Sequence, residues 1–326
     1  MLNAFLTADV FAAEHLDFDA PHFVRLIELV DAGAMRVYLT DVVRDSVRAE
    51  IGHRVKSAVD LLRRSDVRRE LRILGLPRPD ARSVTAEANQ RLDDLLARLH
   101  AFTLPTDEIP VKAVRERAAQ GRVDWPTALN TIACDRWCEE HRHTMLVVSG
   151  SAAKGAVIPP FVRHVDSLAA LIDTAVREQE PNRRLLAATR DVPGELGEEL
   201  EDRLSQEIEH HHFFLDDVEG DVRQVTVTRV VILASHLFAV EGTTCTFELD
   251  ADVEYEADVA YADPDRREET VTERIRAWMH PTARVRVEVD VEDASESTIE
   301  EVRLSDREPL PIRIDDSQVV YPDEIE

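Results

Sequence analysis

The chain has 326 residues, 44% of them hydrophobic, and a formal net charge of −26. This length favours two domains over one, and no apolar run approaches the eighteen or so residues that a membrane-spanning helix needs. The charge is unevenly divided, because residues 191–326 hold 38 acidic and 12 basic side chains, a net of −26, while residues 1–190 hold 27 of each. We therefore expect two units with different surfaces, the second of which repels duplex nucleic acid.

The cysteine content indicates a reducing compartment. Three cysteines, Cys134, Cys138 and Cys245, are too few for a disulfide framework, so we expect a cytoplasmic protein. The first apolar strand begins at Met1 itself, and we therefore expect no signal peptide before it. The sequence also lacks Walker-type and dinucleotide-binding glycine motifs and a nucleophile elbow, which argues against the enzyme classes that depend on them.

The first half of the chain alternates apolar strands with amphipathic helices. Residues 1–11 predict a buried strand and residues 35–40 a second one, with a helix between them over residues 21–32. The run at residues 144–149 is continuously apolar, as strands of a parallel sheet are. Further helices are expected at residues 41–74, 84–102, 111–120, 124–141 and 161–178. We therefore predict an α/β domain over residues 1–180, with a parallel sheet flanked by helices.

In the second half of the chain the apolar residues recur with a period of two. The clearest case is residues 283–291, where four valines alternate with arginine, glutamate and aspartate, as in a strand with one buried and one solvated face. Similar strands are expected from residue 221 onward. We predict a smaller, acidic, β-rich and mainly antiparallel domain over residues 221–326, joined to the first by a helical, charged connector at residues 181–220.

Three stretches of the first half carry a resemblance to a known family. The opening MLNAFLTADVF, the strand and helix VYLTDVVRDSV and the later strand TMLVVSGS resemble the PIN-domain superfamily, in particular a poorly characterised bacterial PIN-like branch. The resemblance covers roughly residues 1–180. It implies a parallel-sheet ribonuclease whose clustered carboxylates hold Mg²⁺ or Mn²⁺, the only cofactor we expect, and only in an active enzyme.

The first two acidic positions of the family are matched imperfectly. At the end of the first strand Thr7 stands where the family has its leading carboxylate, and Asp9 lies two residues further on, which in a strand is the same face. On the helix after the second strand the matching residue is Ser46. Asp45 lies beside it, and Glu50 lies one turn further along the same face.

The last two positions differ sharply from each other. Asp124, at the start of a helix, matches the third position, although it also suits a helix cap. At the fourth position Ser149-Gly150-Ser151 contains no carboxylate. The resemblance thus implies catalytic roles for four acids, metal binding by two of them, and ligand binding by four hydroxyls. The four acids are Asp9, Asp45, Glu50 and Asp124, and the two that bind the metal are Asp9 and Asp124. The four hydroxyls belong to Thr7, Ser46, Ser149 and Ser151.

These substitutions leave two functions open. One is a PIN-like metal-dependent ribonuclease with weakened or lost activity, of the kind found in toxins or defence effectors; the other is a non-catalytic RNA- or protein-binding module built on a degenerate nuclease fold. An acidic nucleic-acid mimic is a third idea. The basic run at residues 63–72 suits single-stranded RNA or a solvated helix face, and the acidic domain suits a protein partner.

Two clusters of potential zinc ligands are the remaining alternatives. Cys134 and Cys138 lie one helical turn apart and close in sequence to His141 and His143, and residues 210–212 are three consecutive histidines. We favour a buried pair of free cysteines for the first cluster and a hinge for the second.

Overall fold

The fold is described from a computed structural model of the chain. The structure describes residues 1–62, 80–150, 160–262, 270–305 and 309–320. The chain divides into two compact units, Met1–Ala175 and Val176–Glu326. A parallel sheet flanked by helices in the first and an antiparallel sheet in the second confirm the predicted fold class. The division falls earlier than the predicted boundary at residue 180, and residues 181–220 group with the second unit rather than forming a separate connector.

The first unit is built on a parallel sheet of five strands in the order β3-β2-β1-β4-β5. The strands are β1 (Leu2–Leu6), β2 (Met35–Thr40), β3 (Phe102–Leu104), β4 (Met145–Val148) and β5 (Val162–Val165). The helices are α1 (Ala8–Ala13), α2 (Pro21–Asp31), α3 (Asp41–Leu62), α4 (Ala81–Arg98), α5 (Val111–Gly121), α6 (Trp125–His141) and α7 (Leu168–Gln179), the last of which contains the division between the units. No described helix is both long and apolar enough to cross a membrane.

The strand order reverses beside β1. From β1 the chain adds β2 and then β3 on one side, and it later returns to add β4 and β5 on the other. Both β1 and β4 are almost completely buried, as expected for central strands with continuous apolar sequence. In open α/β sheets such a reversal leaves a crevice at the carboxyl ends of the two strands, which is where ligands bind.

The two outer strands were not predicted from the sequence. The helix expected at residues 161–178 begins only at Leu168, because Val162–Val165 pairs with β4 as an edge strand. Likewise, Phe102–Leu104 pairs with β2 instead of ending a helix. Strands of three or four residues carry too little periodicity to be recognised, and the neighbouring strand is what makes them extended.

In its described residues the second unit contains two helices after α7, a six-stranded antiparallel sheet and a separate two-stranded parallel pair, β6 with β12. Its elements are α8 (Arg183–Glu195), α9 (Gly197–Glu209), β6 (Phe213–Leu215), β7 (Gly220–Glu241), β8 (Thr244–Ala262), β9 (Thr270–Met279), β10 (Thr282–Glu288), a 3₁₀ turn at Ala294–Glu296, β11 (Thr298–Leu304), β12 (Leu310–Ile312) and β13 (Gln318–Val319). Strand β8 is central. It pairs with β7 along one edge and with β9 and β10, placed end to end, along the other.

Strand β7 is bulged at regular intervals. It has 22 residues, against 19 in its partner β8. The pairing register shifts at Arg223, Thr228, Leu233 and Phe238, which are five residues apart. Each bulge adds an unpaired residue and bends the strand. Helix α9 packs against the sheet through Leu204 and Ile208, which share a core cluster with residues of β7, β8 and β10. Residues 181–220 thus contribute to the core of the second unit.

We predict that Leu204→Ala will destabilise the second unit by about 2–5 kcal/mol, because Leu204 is fully buried against the sheet. Leu233→Ala is the matched control, since Leu233 is 60% exposed and its truncation should cost less than about 0.5 kcal/mol. Urea unfolding followed by circular dichroism measures both. Equal losses in the two variants would show that α9 is not packed as described.

Candidate functional site

A cavity of about 290 Å³ lies in the first unit, at the carboxyl ends of β1 and β4. Its lining includes five of the residues that the sequence predicted for the site, namely Thr7, Asp9, Ser46, Asp124 and Ser149. Apolar side chains such as Phe5, Val43, Val147 and Val162 form its walls. The structure therefore brings these five polar residues together at the crevice created by the reversal of strand order.

Thr7 connects the end of β1 to the end of β4. Its backbone N–H donates to the carbonyl of Val148 at 3.4 Å, and its hydroxyl lies 2.6 Å from the same oxygen. Strand β1 ends at Leu6, and Thr7 is the N-cap residue of α1. Asp9 consequently lies in the first turn of a helix, and the prediction that Asp9 follows Thr7 along one strand face was wrong, although both line the cavity.

Asp9 is held by hydrogen bonds from three protein groups. Its Oδ2 accepts from the backbone N–H of Gly150 at 2.8 Å and from the hydroxyl of Ser149 at 3.2 Å, and its Oδ1 contacts the hydroxyl of Thr7. A carboxylate offers about four lone-pair positions. Most of the accepting capacity of Asp9 is therefore used to join the β1–α1 junction to the residues that follow β4.

Asp124 has a structural role as well as a place in the cavity wall. It is the N-cap residue of α6, and its Oδ1 accepts from the backbone N–H of Thr127 at 2.8 Å. The capping role that the sequence suggested is therefore present. One carboxylate oxygen caps the helix, which leaves the other for a ligand, and the catalytic role remains a prediction.

The acids predicted on α3 do not line the cavity. Ser46 does, but Asp45 is exposed and Glu50 pairs with Arg54 at 2.8 Å. Successive helical residues point about 100° apart, and one further turn carries a side chain about 5.4 Å along the axis, so neither acid replaces the missing carboxylate beside Ser46. Ser151 and the basic run at residues 63–72 lie outside the described residues.

His164, on β5, lines the cavity and was not anticipated from the sequence. Burial lowers the pKa of its imidazole below the ordinary value of 6.5, against a smaller opposing effect of Asp166. Its Nδ1 is buried and has no hydrogen-bond partner among the described residues. A single histidine in a strand of four residues gives no recognisable signal, so only the fold shows that it faces the site.

Asn130 is the second residue that sequence analysis missed. It lies on α6, is 9% exposed, and its Oδ1 accepts from the hydroxyl of the fully buried Thr40 at 2.6 Å. This bond fixes the end of β2 to α6 and orients the amide of Asn130 at the cavity wall. The pair is separated by 90 residues, and a long-range contact of this kind leaves no periodic signal in the sequence.

The described residues do not fit a Mg²⁺ or Mn²⁺ centre. Hard divalent ions need several oxygen ligands, usually carboxylates. Two carboxylates line the cavity, and both Asp9 and Asp124 already accept hydrogen bonds from the protein. Within the described parts of the chain no group of three or more histidine, cysteine, aspartate or glutamate side chains is placed to hold a metal.

The zinc alternatives are not supported either. Cys134 and Cys138 are buried, and desolvation raises the pKa of both thiols, that of Cys138 to about 11. His141 directs Nδ1 to the carbonyl of Trp137 at 2.9 Å, and His210 directs its own to the carbonyl of Gln206 at 2.6 Å. Within the described residues, no three potential ligands are placed to hold zinc at either cluster.

Comparison with known proteins does not assign a family. No protein-family model, no curated protein and no solved structure matches the chain. The PIN-like assignment therefore depends on the residues and the strand order described above, and it is a proposal.

We predict that Asp9→Ala will destabilise the first unit by about 1–3 kcal/mol, because it removes the acceptor for the Gly150 N–H and the Ser149 hydroxyl. Asp45→Ala removes the same charge from an exposed position, and it should change the stability by less than about 0.5 kcal/mol. Chemical unfolding of both variants measures the difference. A neutral effect of Asp9→Ala would mean that these bonds do not stabilise the fold.

We also predict that His164 makes the first unit less stable as the pH falls. Its pKa in the folded state lies below 6.5, so the unfolded chain binds the proton more readily, and stability is lost as the pH falls below about 7 toward the folded pKa. His164→Gln should therefore lose less stability than the parent between about pH 7.5 and 5.5. His53→Gln, at an exposed position, should keep the parental profile in the same unfolding series.

Proposed function

We propose that the first unit is a PIN-like binding module in which metal-dependent RNA cleavage is weakened or lost. The observation that supports this most is the bonding of the two cavity carboxylates, since Asp9 is held by three protein donors and Asp124 caps α6. The remaining predicted positions at the cavity are the hydroxyls of Thr7, Ser46 and Ser149. Hydroxyl groups bind Mg²⁺ too weakly to replace carboxylates.

The chemistry of the cavity favours uncharged polar groups of a ligand. Two carboxylates repel a phosphate in the absence of a cation, whereas hydroxyls, the Asn130 amide and the neutral imidazole of His164 both donate and accept hydrogen bonds. Single-stranded RNA is recognised through base edges and ribose hydroxyls, which are groups of this kind. The resemblance and the basic run at residues 63–72 support the same ligand.

In this proposal the residues bind and orient the ligand and carry out no hydrolytic step. The apolar walls formed by Phe5, Val147 and Val162 exclude water from one side of the cavity. The hydrogen bonds between Thr40 and Asn130 and around Asp9 fix the polar side chains before a ligand arrives, and fixing them in advance lowers the entropic cost of binding.

The test is the full-length protein with fluorescein-labelled single-stranded RNA, without metal and then with Mg²⁺ or Mn²⁺. We expect binding by anisotropy in all conditions and little or no cleavage. Asp124→Asn is the informative variant, because asparagine caps helices as well as aspartate does and so preserves α6 while removing a carboxylate. Asp45→Asn is the control for the charge change, because Asp45 lies outside the cavity lining.

The possible outcomes separate the two functions left open by the sequence. Rapid metal-dependent cleavage that disappears in Asp124→Asn but persists in Asp45→Asn would overturn the proposal and assign an active nuclease. Cleavage that is unchanged in Asp124→Asn would remove this cavity from the chemistry. Absence of RNA binding in every condition would contradict the binding module.

A further inference from the structure

The antiparallel sheet of the second unit has a solvated face lined with carboxylates. Along β8 the odd-numbered residues from Cys245 to Val259 are buried in the core. The even-numbered residues between them therefore point to the opposite face. Six of these are acidic: Glu248, which is itself buried at 2% exposure, and Asp250, Asp252, Glu254, Glu256 and Asp258, which are partly exposed.

Arginines of the neighbouring strands compensate the two ends of this row. Arg284 reaches Glu248 at 3.4 Å, and Arg274 reaches Asp258 at 2.8 Å. Arg276 bonds Glu256 at 2.9 Å and lies 3.6 Å from Glu254. The charge is therefore largely balanced at the ends, and Glu254 is only weakly paired.

The middle of the row keeps its negative charge. Asp250 accepts from the hydroxyl of Thr282 at 3.2 Å, and Asp252 contacts the ring of His280. Neither carboxylate has an arginine or lysine partner among the described residues. Asp250 thus has no cationic partner among the described residues, and Asp252 pairs only with His280, which is charged only when protonated, on a unit whose residues 191–326 carry a net charge of −26.

Two exposed apolar side chains lie on either side of these acids. Trp278, on β9, is 49% exposed and is paired with Glu254, while Leu233, on β7, is 60% exposed and lies in the bulge beside Asp250. They are the two most exposed large hydrophobic side chains among the described residues of the second unit. Phe238, the extra residue of the next bulge, stacks with Arg284 on the carboxylate side, which places the bulge residues on this face.

We propose that this face binds a basic, lysine- or arginine-containing segment of a partner protein. We call the surface formed by Leu233, Asp250, Asp252, Glu254 and Trp278 the carboxylate face. The aliphatic stem of a basic side chain packs on Leu233 or Trp278 while its cationic head reaches a carboxylate. The indole of Trp278 also attracts a cation directly.

The charge distribution favours this occupant over others. A nucleic acid is repelled by the unit, and so is a second copy of the same unit. Within the described residues no three potential ligands are placed to hold a metal. A basic polypeptide is attracted over long range and finds both apolar and acidic contacts on arrival. The inference is independent of the function proposed for the first unit.

The test is binding of fluorescein-labelled octalysine to the full-length protein, followed by anisotropy at about 50 mM and about 500 mM salt. We expect binding at low salt that weakens at high salt, and no binding of an octaglutamate peptide. Trp278→Ala, Leu233→Ala and Asp250→Asn should each weaken octalysine binding about three- to tenfold.

Two matched variants act as controls. Trp125→Ala removes an equally exposed tryptophan from the first unit, and Asp202→Asn removes one charge from an exposed position on α9. Both should bind octalysine as tightly as the parent, within about twofold. Circular dichroism and urea unfolding verify each fold, and Leu233→Ala keeps the test informative if Trp278→Ala is unstable.

Three results would overturn the proposal. The first is absence of octalysine binding at low salt. The second is a loss in Asp202→Asn as large as that in Asp250→Asn, because the attraction would then be the diffuse charge of the unit. The third is unchanged binding in all three variants of the carboxylate face, which would place the peptide elsewhere.

Discussion

The hydrogen bonds around Asp9 are the constraint on which the candidate site depends. Strands β1 and β4 come from distant parts of the chain, and their carboxyl ends are joined by the Thr7–Val148 contacts and by the bonds from Ser149 and Gly150 to Asp9. These bonds lie beside the cavity, at the point where the strand order reverses. They also use most of the accepting capacity of Asp9, so the interaction that stabilises the crevice involves the same carboxylate that lines the cavity.

At Asp124 and His164, too, the contacts and burial that the fold imposes affect the chemistry of the side chain. Asp124 starts α6 by capping it, and one of its two carboxylate oxygens accepts a hydrogen bond from that helix. Burial lowers the pKa of His164, and its buried Nδ1 has no hydrogen-bond partner among the described residues. These contacts are the basis for the proposal that the cavity holds a polar ligand and has weakened or lost hydrolytic activity.

In the second unit one strand, β8, organises both faces of the sheet. Its buried side chains form the core with α9, and its carboxylates form the opposite face. Along β7 the apolar residues are alternately three and two positions apart. They are Val222, Val225, Val227, Val230 and Ile232. That alternation reflects one bulge in every five residues, and the bulge residue Leu233 belongs to the carboxylate face.

The sequence by itself determined the fold class and the polar positions. Continuous apolar runs indicated the central strands β1, β2 and β4, alternation indicated β8 and β10, and polar residues after strands indicated Thr7, Asp9 and Ser149. These signals are local, because burial imposes a period on neighbouring residues. Only the tertiary structure decided that β3 and β5 are strands, that residues 181–220 belong to the second unit, and that Asp45 and Glu50 lie away from the cavity. It alone placed His164 and Asn130 in the site, since contacts between residues far apart in the chain depend on packing, which leaves no mark on any single stretch of sequence.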